Sequence, residues 1–167
     1  MNQLREVGLD FLESAPHKFV FEAEIDAPRK DVWAAISADP STWTEWFPGL
    51  DEGGYEGDAP PGVGTLRQIR MGDSRYRETM LAWDEPSRWA YRVDESTDPV
   101  AKALVEDWTM EERGDKTVVG WTFAVDPGPQ LADAIEVAES VIGDVFRQAM
   151  GNLSERLSSG SRKDSNA

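Results

Sequence analysis

The chain opens with a helical pattern and then changes to the alternation typical of a β-strand. Residues 2–13 carry apolar side chains at helical spacing, which predicts a short amphipathic helix in an N-terminal extension over residues 1–16: Leu4, Val7, Phe11 and Leu12. This helix is expected to pack on the domain or on a partner. From His17 to Asp26 the alternation predicts a strand whose apolar face holds Phe19, Phe21, Ala23 and Ile25.

Two short helices are predicted after this strand. Pro28 suits the first turn of a helix whose apolar stripe is formed by Val32, Trp33 and Ile36. Asp39 is a capping residue for a second short helix, which holds Trp43, Trp46 and Phe47. The glycine- and proline-rich stretch over residues 49–64 then predicts a weak strand and a loop, and such loops often form the mouth of a ligand site.

An antiparallel meander and one long helix are predicted for the rest of the chain. Strand patterns follow one another at a spacing of roughly 12 residues, with turn sequences at residues 72–73, 85–87, 98–99 and 114–115. Residues 129–158 form a single helical pattern, in which Gly143 and Gly151 each cost about 1 kcal/mol relative to alanine. A close backbone approach or a bend is expected to compensate this cost. Residues 159–167 are predicted to be a disordered tail.

Strand alternation assigns an inner face that is apolar except for two glutamates. One strand places Trp89, Tyr91 and Val93 inward, and the last strand does so with Val119, Trp121 and Phe123. Glu106 interrupts an inner face formed by Leu104, Trp108 and Met110, and Glu78 shares the face of Tyr76, Met80 and Ala82. Trp83 has the opposite parity and is predicted to lie outside.

A buried carboxyl is costly unless it is paired, so both glutamates are candidate functional residues. Desolvation is expected to raise the pKa of each one, unless Arg67 or Arg77 reaches it. The pattern leaves open whether Arg67 or Arg70 points inward. Tyr91 lies in the middle of its strand and is a further candidate, because a phenol in an apolar pocket can orient a ligand oxygen.

Composition removes several classes of function. The 167 residues include 32 acidic and 17 basic side chains, and a formal charge of −15 disfavours nucleic acids and anionic membrane surfaces as partners. With no cysteine and one histidine, thiol catalysis and the usual zinc sites are excluded, and we expect neither metal nor cofactor. No apolar run has the length of a membrane span or of a signal peptide, so a cytoplasmic location without integral membrane association is expected.

Several short motifs, in this order along the chain, resemble the polyketide cyclase/dehydrase branch of the START-like (SRPBCC) superfamily. They are Ala27-Pro28 with Val32-Trp33, Trp43-x-x-Trp46-x-Pro48, the 61–65 loop, Glu78 ahead of Asp84-Glu85-Pro86, the 89–93 strand, and Gly114-Asp115-x-Thr117 before Trp121. The resemblance covers roughly residues 18–157. It implies an α+β helix-grip fold over residues 17–158. In this fold a curved seven-stranded antiparallel sheet wraps around a long C-terminal helix, with two short helices after the first strand and a hydrophobic cavity inside.

Members of that family bind lipids, hormones and polyketides, and a minority catalyse cyclisation or dehydration. The leading hypothesis is therefore a binder of a hydrophobic small molecule. Its candidate ligand-binding residues lie on the inner strand faces and on the long helix: Phe21, Trp89, Tyr91, Val93, Glu106, Trp108, Met110, Val119, Trp121, Phe123, Ile142 and Phe146.

Two other hypotheses stay open. In the first, Glu106 or Glu78 acts with Tyr91 in a cyclase or dehydratase that abstracts a proton next to a carbonyl group. In the second, the N-terminal helix or the acidic surface docks a protein partner or a second copy of the chain, which would form a homodimer. The sequence does not identify the ligand.

Overall fold

The computed structural model describes the backbone of residues 1–165 and the side chains of residues 1–160. Over this range the strands are β1 Asn2–Gln3, β2 His17–Ile25, β3 Glu52–Tyr55, β4 Leu66–Met71, β5 Ser74–Asp84, β6 Arg88–Ser96, β7 Ala101–Arg113 and β8 Lys116–Pro127. The helices are α1 Phe11–Ser14, α2 Arg29–Ser37, α3 Pro129–Asp133 and α4 Ile135–Ser165, and a 3-10 helix spans Pro40–Glu45. No helix in the described range is long and apolar enough to cross a membrane.

The predicted helix-grip fold is confirmed. Seven strands form one antiparallel sheet in the order β2-β8-β7-β6-β5-β4-β3, and the short β1 pairs with β6. Helix α4 lies against the inner face of this sheet and buries an apolar stripe there: Phe146, Ala149, Met150 and Leu153. The two short helices follow β2, as the sequence predicted, and Asp39 caps the second one by accepting a hydrogen bond from the Ser41 amide.

Gly143 brings α4 close to the edge strand β2. A methyl group at this position would lie 2.9 Å from Cε1 of Phe21, so only glycine fits without a shift. The Phe21 ring is itself held between Phe146 and Trp121, at centroid distances of 5.8 Å and 5.9 Å. A close backbone approach therefore explains Gly143, whereas Gly151 has no neighbouring atom within 4 Å that a methyl group would meet.

All seven tryptophans belong to one cluster between the sheet and the helices. Trp83 is the one that alternation placed wrongly. A bulge leaves Leu81 without a partner on β6, so parity reverses and Trp83 pairs with Trp89 on the inner face. There the Trp83 ring meets Trp33 edge-on at 5.9 Å, while Ala82 moves to the outer face opposite Ala90.

The N-terminal segment differs from the predicted helix over residues 2–13. It is extended at first, and the amides of Leu4 and Arg5 donate to the carbonyls of Asp94 on β6 and Lys102 on β7. Only one turn, α1, is helical, and it buries Phe11 against an outer-face patch of Ala103, Val105 and Ala124. An isolated helix of this length has marginal stability in water. The extended segment instead gains backbone hydrogen bonds to the sheet and an apolar surface for Phe11.

The C-terminal helical region also begins and ends at residues other than those predicted. A break at Ala134 separates α3 from α4, and α4 continues to Ser165, so residues 159–165 of the predicted disordered tail are helical. Residues 166–167 lie outside the described range. Residues 159–165 contain no proline, and extending an established helix costs little compared with nucleating one.

Candidate functional site

A cavity of about 320 Å³ lies between the inner face of the sheet and helices α3 and α4. Five strands, β4 to β8, contribute to its walls, and the 3-10 helix region closes one side with Trp43, Phe47 and Leu50. From the helices come Leu131, Ile142 and Val145. Most of the lining is apolar, and the exceptions are the two tyrosines Tyr76 and Tyr91 and the charged residues Arg67, Glu78 and Glu106.

The structure divides the predicted ligand-binding residues into two groups. Half of them line the cavity, together with Glu78: Tyr91, Val93, Glu106, Trp121, Phe123 and Ile142. The other half lie in the packed core beside it: Phe21, Trp89, Trp108, Met110, Val119 and Phe146. Strand alternation predicts which side chains lie on the inner face, but it does not predict which of them border the cavity and which lie in the packed core. The Trp43 ring, at 5.7 Å from Trp89 and 5.4 Å from Trp108, fills the end of the sheet that these two indoles share.

Several residues that line the cavity are not among the predicted ligand-binding residues, and Arg67, whose direction the sequence left open, is the most important of them. It is buried on the inner face of β4, whereas Arg70 faces outward and pairs with Asp51 and Glu52. The sequence does hold a signal for this direction, because Ile69 and Met71 lie on the same face of the strand as Arg67, and both line the cavity. The remaining ones are apolar or aromatic: Trp43, Phe47, Leu50, Tyr76, Val100, Leu104, Leu131 and Val145.

Arg67 and Glu78 form a buried ion pair between register partners on β4 and β5. The distance from Arg67 Nε to Glu78 Oε2 is 2.5 Å, and each side chain is 1% exposed. Three aromatic rings surround the guanidinium carbon, with centroids at 4.4 Å for Tyr91, 4.8 Å for Trp89 and 5.0 Å for Trp43. This arrangement stabilises the cation through both the carboxylate and the ring faces.

The pair keeps Arg67 charged. Burial alone would lower the pKa of this guanidinium, but the Glu78 carboxylate, together with Tyr91 and Tyr55, outweighs burial and raises it. Burial raises the pKa of Glu78, and Arg67 opposes that shift. One of the guanidinium nitrogens, Nη1, is buried without an acceptor among the described residues. The two charges therefore cancel within the pair, but Nη1 of Arg67 has no acceptor among the described residues.

Glu106 lies opposite Tyr91 of β6 and Phe123 of β8, and it is 8% exposed. Within the described side chains, no basic group lies at salt-bridge distance from it. Burial raises the pKa of Glu106 to about 8, and the neighbouring Glu78 carboxylate adds to this rise, while Arg67 opposes it. Glu106 is therefore mostly protonated at pH 7 and can donate a hydrogen bond.

Tyr91 completes the polar part of the wall. Its ring is 3% exposed, and burial, reinforced by Glu106, raises the pKa of its phenol well above the ordinary value. The phenol stays neutral and can orient a ligand oxygen or pass a proton to or from Glu106. Of the three predicted catalytic residues, Glu78 is held in the ion pair with Arg67, whereas Glu106 and Tyr91 form no ion pair.

An antiparallel sheet that grips a long helix around an apolar cavity defines the class of helix-grip ligand-binding domains. The chain belongs to the polyketide cyclase/dehydrase and lipid transport family, whose model matches residues 16–158. Uncharacterized proteins of Mycobacterium tuberculosis and Mycobacterium bovis are 25% identical over 154 residues, which is 92% of each chain.

Solved structures show the same fold. A protein from Thermobifida fusca superposes with a TM-score of 0.67 at 28% identity, over 84% of this chain and 92% of the other. The di-domain ARO/CYC protein BexL gives a TM-score of 0.68 at 16% identity, over 83% of this chain and 49% of BexL. For the major latex-like protein 151 of Panax ginseng the TM-score is 0.65 at 14% identity, over 84% and 96%.

Proposed function

We propose that this domain binds a hydrophobic small molecule in the cavity between the sheet and helix α4. The observation that carries the proposal is the cavity itself, which encloses about 320 Å³ behind mostly apolar walls. Apolar walls with a few placed polar groups are typical of sites for small ligands, because burial of apolar surface drives binding and the polar groups orient the ligand. The family description, which includes lipid transport, supports the same function.

Blocking the cavity from its helix side is the sharpest test. Val145 lines the cavity on α4, and Val141, one turn earlier on the same helix, is 55% exposed. We expect the wild type to bind the dye N-phenyl-1-naphthylamine and to carry co-purifying apolar molecules that native mass spectrometry detects. Val145→Trp should lose both, because the indole fills the cavity, and Val141→Trp should keep both. Equal dye binding by the two variants would contradict the proposal.

Catalysis is a second candidate, and the pairing of Glu106 with Tyr91 on the cavity wall favours it. An unpaired carboxyl with a pKa near neutrality can transfer a proton to or from a carbon next to a carbonyl group. A poly-β-keto thioester and mass spectrometry of its cyclised products provide the assay. Glu106→Gln should abolish turnover and retain dye binding. Turnover that survives Glu106→Gln would exclude this mechanism.

A further inference from the structure

The charged residues of the cavity wall are two carboxyls and one guanidinium. Arg67 and Glu78 neutralise each other at 2.5 Å, so Glu106 has no counter-ion left in the wall. A lone carboxylate without a partner is costly in an apolar cavity, and protonation removes that cost. The wall as a whole is then uncharged.

Arg67 gives this wall a hydrogen-bond donor without a partner. Its Nη1 is buried without an acceptor among the described residues. Protonated Glu106 adds an O–H group to the same wall. Oε2 of Glu78 already accepts from Nε of Arg67. A ligand that brings an acceptor can satisfy these donors, and unpaired buried donors are costly.

We propose that the cavity selects an uncharged ligand with an acceptor oxygen, such as a ketone, over a carboxylate of the same shape. This selectivity rests on the proposed function. A ligand carboxylate would lose its hydration and bring a second negative charge next to Glu78, while Arg67, the only cation among the described lining residues, is already neutralised by Glu78. A carbonyl oxygen can accept from Arg67 or from protonated Glu106 without adding charge.

The same arrangement makes ketone binding dependent on pH through Glu106. The titratable groups that face it are Tyr91 from β6, Glu78 and Tyr76 from β5 and Arg67 from β4. The described lining residues of β8 and α4 carry no charge: Trp121, Phe123, Ile142 and Val145. Burial raises the pKa of Glu106 to about 8. Above that pH the carboxyl ionises, loses its donor and adds negative charge, so affinity for the ketone should fall.

Three naphthalenes of nearly equal shape test this selectivity. The probes are 2-acetylnaphthalene, which offers a carbonyl oxygen, 2-isopropenylnaphthalene, which has no oxygen, and 2-naphthoate, which is ionised throughout the range used. Their dissociation constants are measured by isothermal titration calorimetry at pH 6.5 and pH 9. At pH 6.5 the ketone should bind about tenfold more tightly than the alkene, because its carbonyl oxygen gives one unpaired donor a partner. The carboxylate should bind at least that much more weakly than the ketone.

Two variants test which residues cause the selectivity. Glu106→Gln keeps a neutral donor, so ketone affinity should become equal at pH 6.5 and pH 9. Arg67→Met together with Glu78→Met removes the ion pair without leaving a lone buried charge, and it should reduce the ketone preference over the alkene, because only the Glu106 donor remains. Binding of 2-naphthoate as tight as that of the ketone, or a ketone preference that the double substitution leaves unchanged, would overturn the selectivity.

The proposed function and the selectivity fail in different ways. If none of the three naphthalenes binds a protein that still binds N-phenyl-1-naphthylamine, the selectivity is wrong and the cavity proposal stands. If the dye and the naphthalenes all fail to bind, the cavity proposal itself is wrong, and the selectivity is overturned with it.

Discussion

Two buried glutamates 28 positions apart in the sequence have different neighbours, and this difference decides what each can do. Glu78 lies in register with Arg67, while Glu106 faces a phenol and a phenylalanine. The first is held as an ion pair, and the second stays protonated near neutral pH. Of the two, Glu106 is the one without a counter-ion, and its pKa of about 8 places its change of charge in the range where a cell or an assay operates.

Glu106 should make the protein less stable as pH rises. Its pKa is about 8 in the folded protein and close to 4.5 in the unfolded chain, so the unfolded state loses its proton first. The free energy of unfolding should fall between about pH 5 and pH 8 and then level off, with a Glu106 contribution on the order of 5 kcal/mol. Urea titrations across this range measure it.

Glu106→Gln should remove most of that decline, because the amide has no proton to lose. Glu111→Gln, an exposed change on the same strand, is the control and should keep the wild-type profile. A Glu106→Gln protein whose stability still declines as steeply as the wild type would show that other groups cause the pH dependence.

The Arg67–Glu78 pair should behave as a unit in stability measurements. Arg67→Met leaves Glu78 buried without its counter-ion and should cost about 3 to 5 kcal/mol. Arg67→Met combined with Glu78→Met removes both charges, and it should recover a large part of that loss. Denaturant unfolding of the two single variants and the double variant forms a complete cycle. Additive losses would mean that the two side chains are energetically independent.

At the level of single residues, alternation predicted which polar side chains lie on the inner face better than it predicted which positions line the cavity. Glu106, Glu78 and Tyr91 were found because each breaks or interrupts an apolar face. Arg67 was left open, although it shares parity with Ile69 and Met71, because its strand carries charges on both faces. The register of β4 against β5, which brings Arg67 to Glu78, depends on pairing that a single strand does not encode.

At the scale of elements, Gly143 and Gly151 of α4 allow a matched test of how the helix packs on the sheet. Gly143→Ala places a methyl group 2.9 Å from Phe21, whose ring is fixed by its neighbours, and should destabilise the protein by about 1 to 2 kcal/mol. Gly151→Ala meets no atom within 4 Å and should stabilise by up to about 1 kcal/mol through helix propensity. Thermal unfolding compares them. Equal effects would contradict the close approach at Gly143.

The N-terminal segment should contribute to the stability of the domain and not to its ligand site. Phe11 is 5% exposed on the outer face, opposite the cavity, so Phe11→Ala should cost about 3 kcal/mol. Dye binding by the folded fraction should stay at the wild-type level. Unchanged stability in urea unfolding would indicate that the segment is free, as the docking hypothesis requires, and sedimentation would then show whether it joins two copies.

Element types and their order were largely predictable because each strand has an apolar face with period two and each helix a stripe with period near 3.6. The exceptions have physical reasons. Trp83 changed faces because of the bulge at Leu81, which no alternation rule reveals. The segment before Phe11 has helical spacing, yet its backbone pairs with β6 and β7, and this tertiary contact overrides a weak local preference.

Over the whole molecule, the tryptophans separate a packed end of the interior from an open one. Trp43, Trp46, Trp89 and Trp108 are 0 to 2% exposed and fill the end beneath the 3-10 helix. The cavity begins at the edge of this group, with Trp43 and Trp121 on its wall. The rigid end holds Arg67 in place through its rings, so the polar wall is fixed before a ligand arrives.

Ligand binding in this interior should stabilise the whole domain, because the cavity wall includes five strands and both C-terminal helices. At a free concentration of 2-acetylnaphthalene 100 times its dissociation constant, the free energy of unfolding should rise by about 2.7 kcal/mol. Val145→Trp, with its cavity filled, should show no increase, and Val141→Trp should show the wild-type increase. Urea unfolding with and without the ketone at pH 6.5 measures this. A shared increase in both variants would place the binding site elsewhere on the protein.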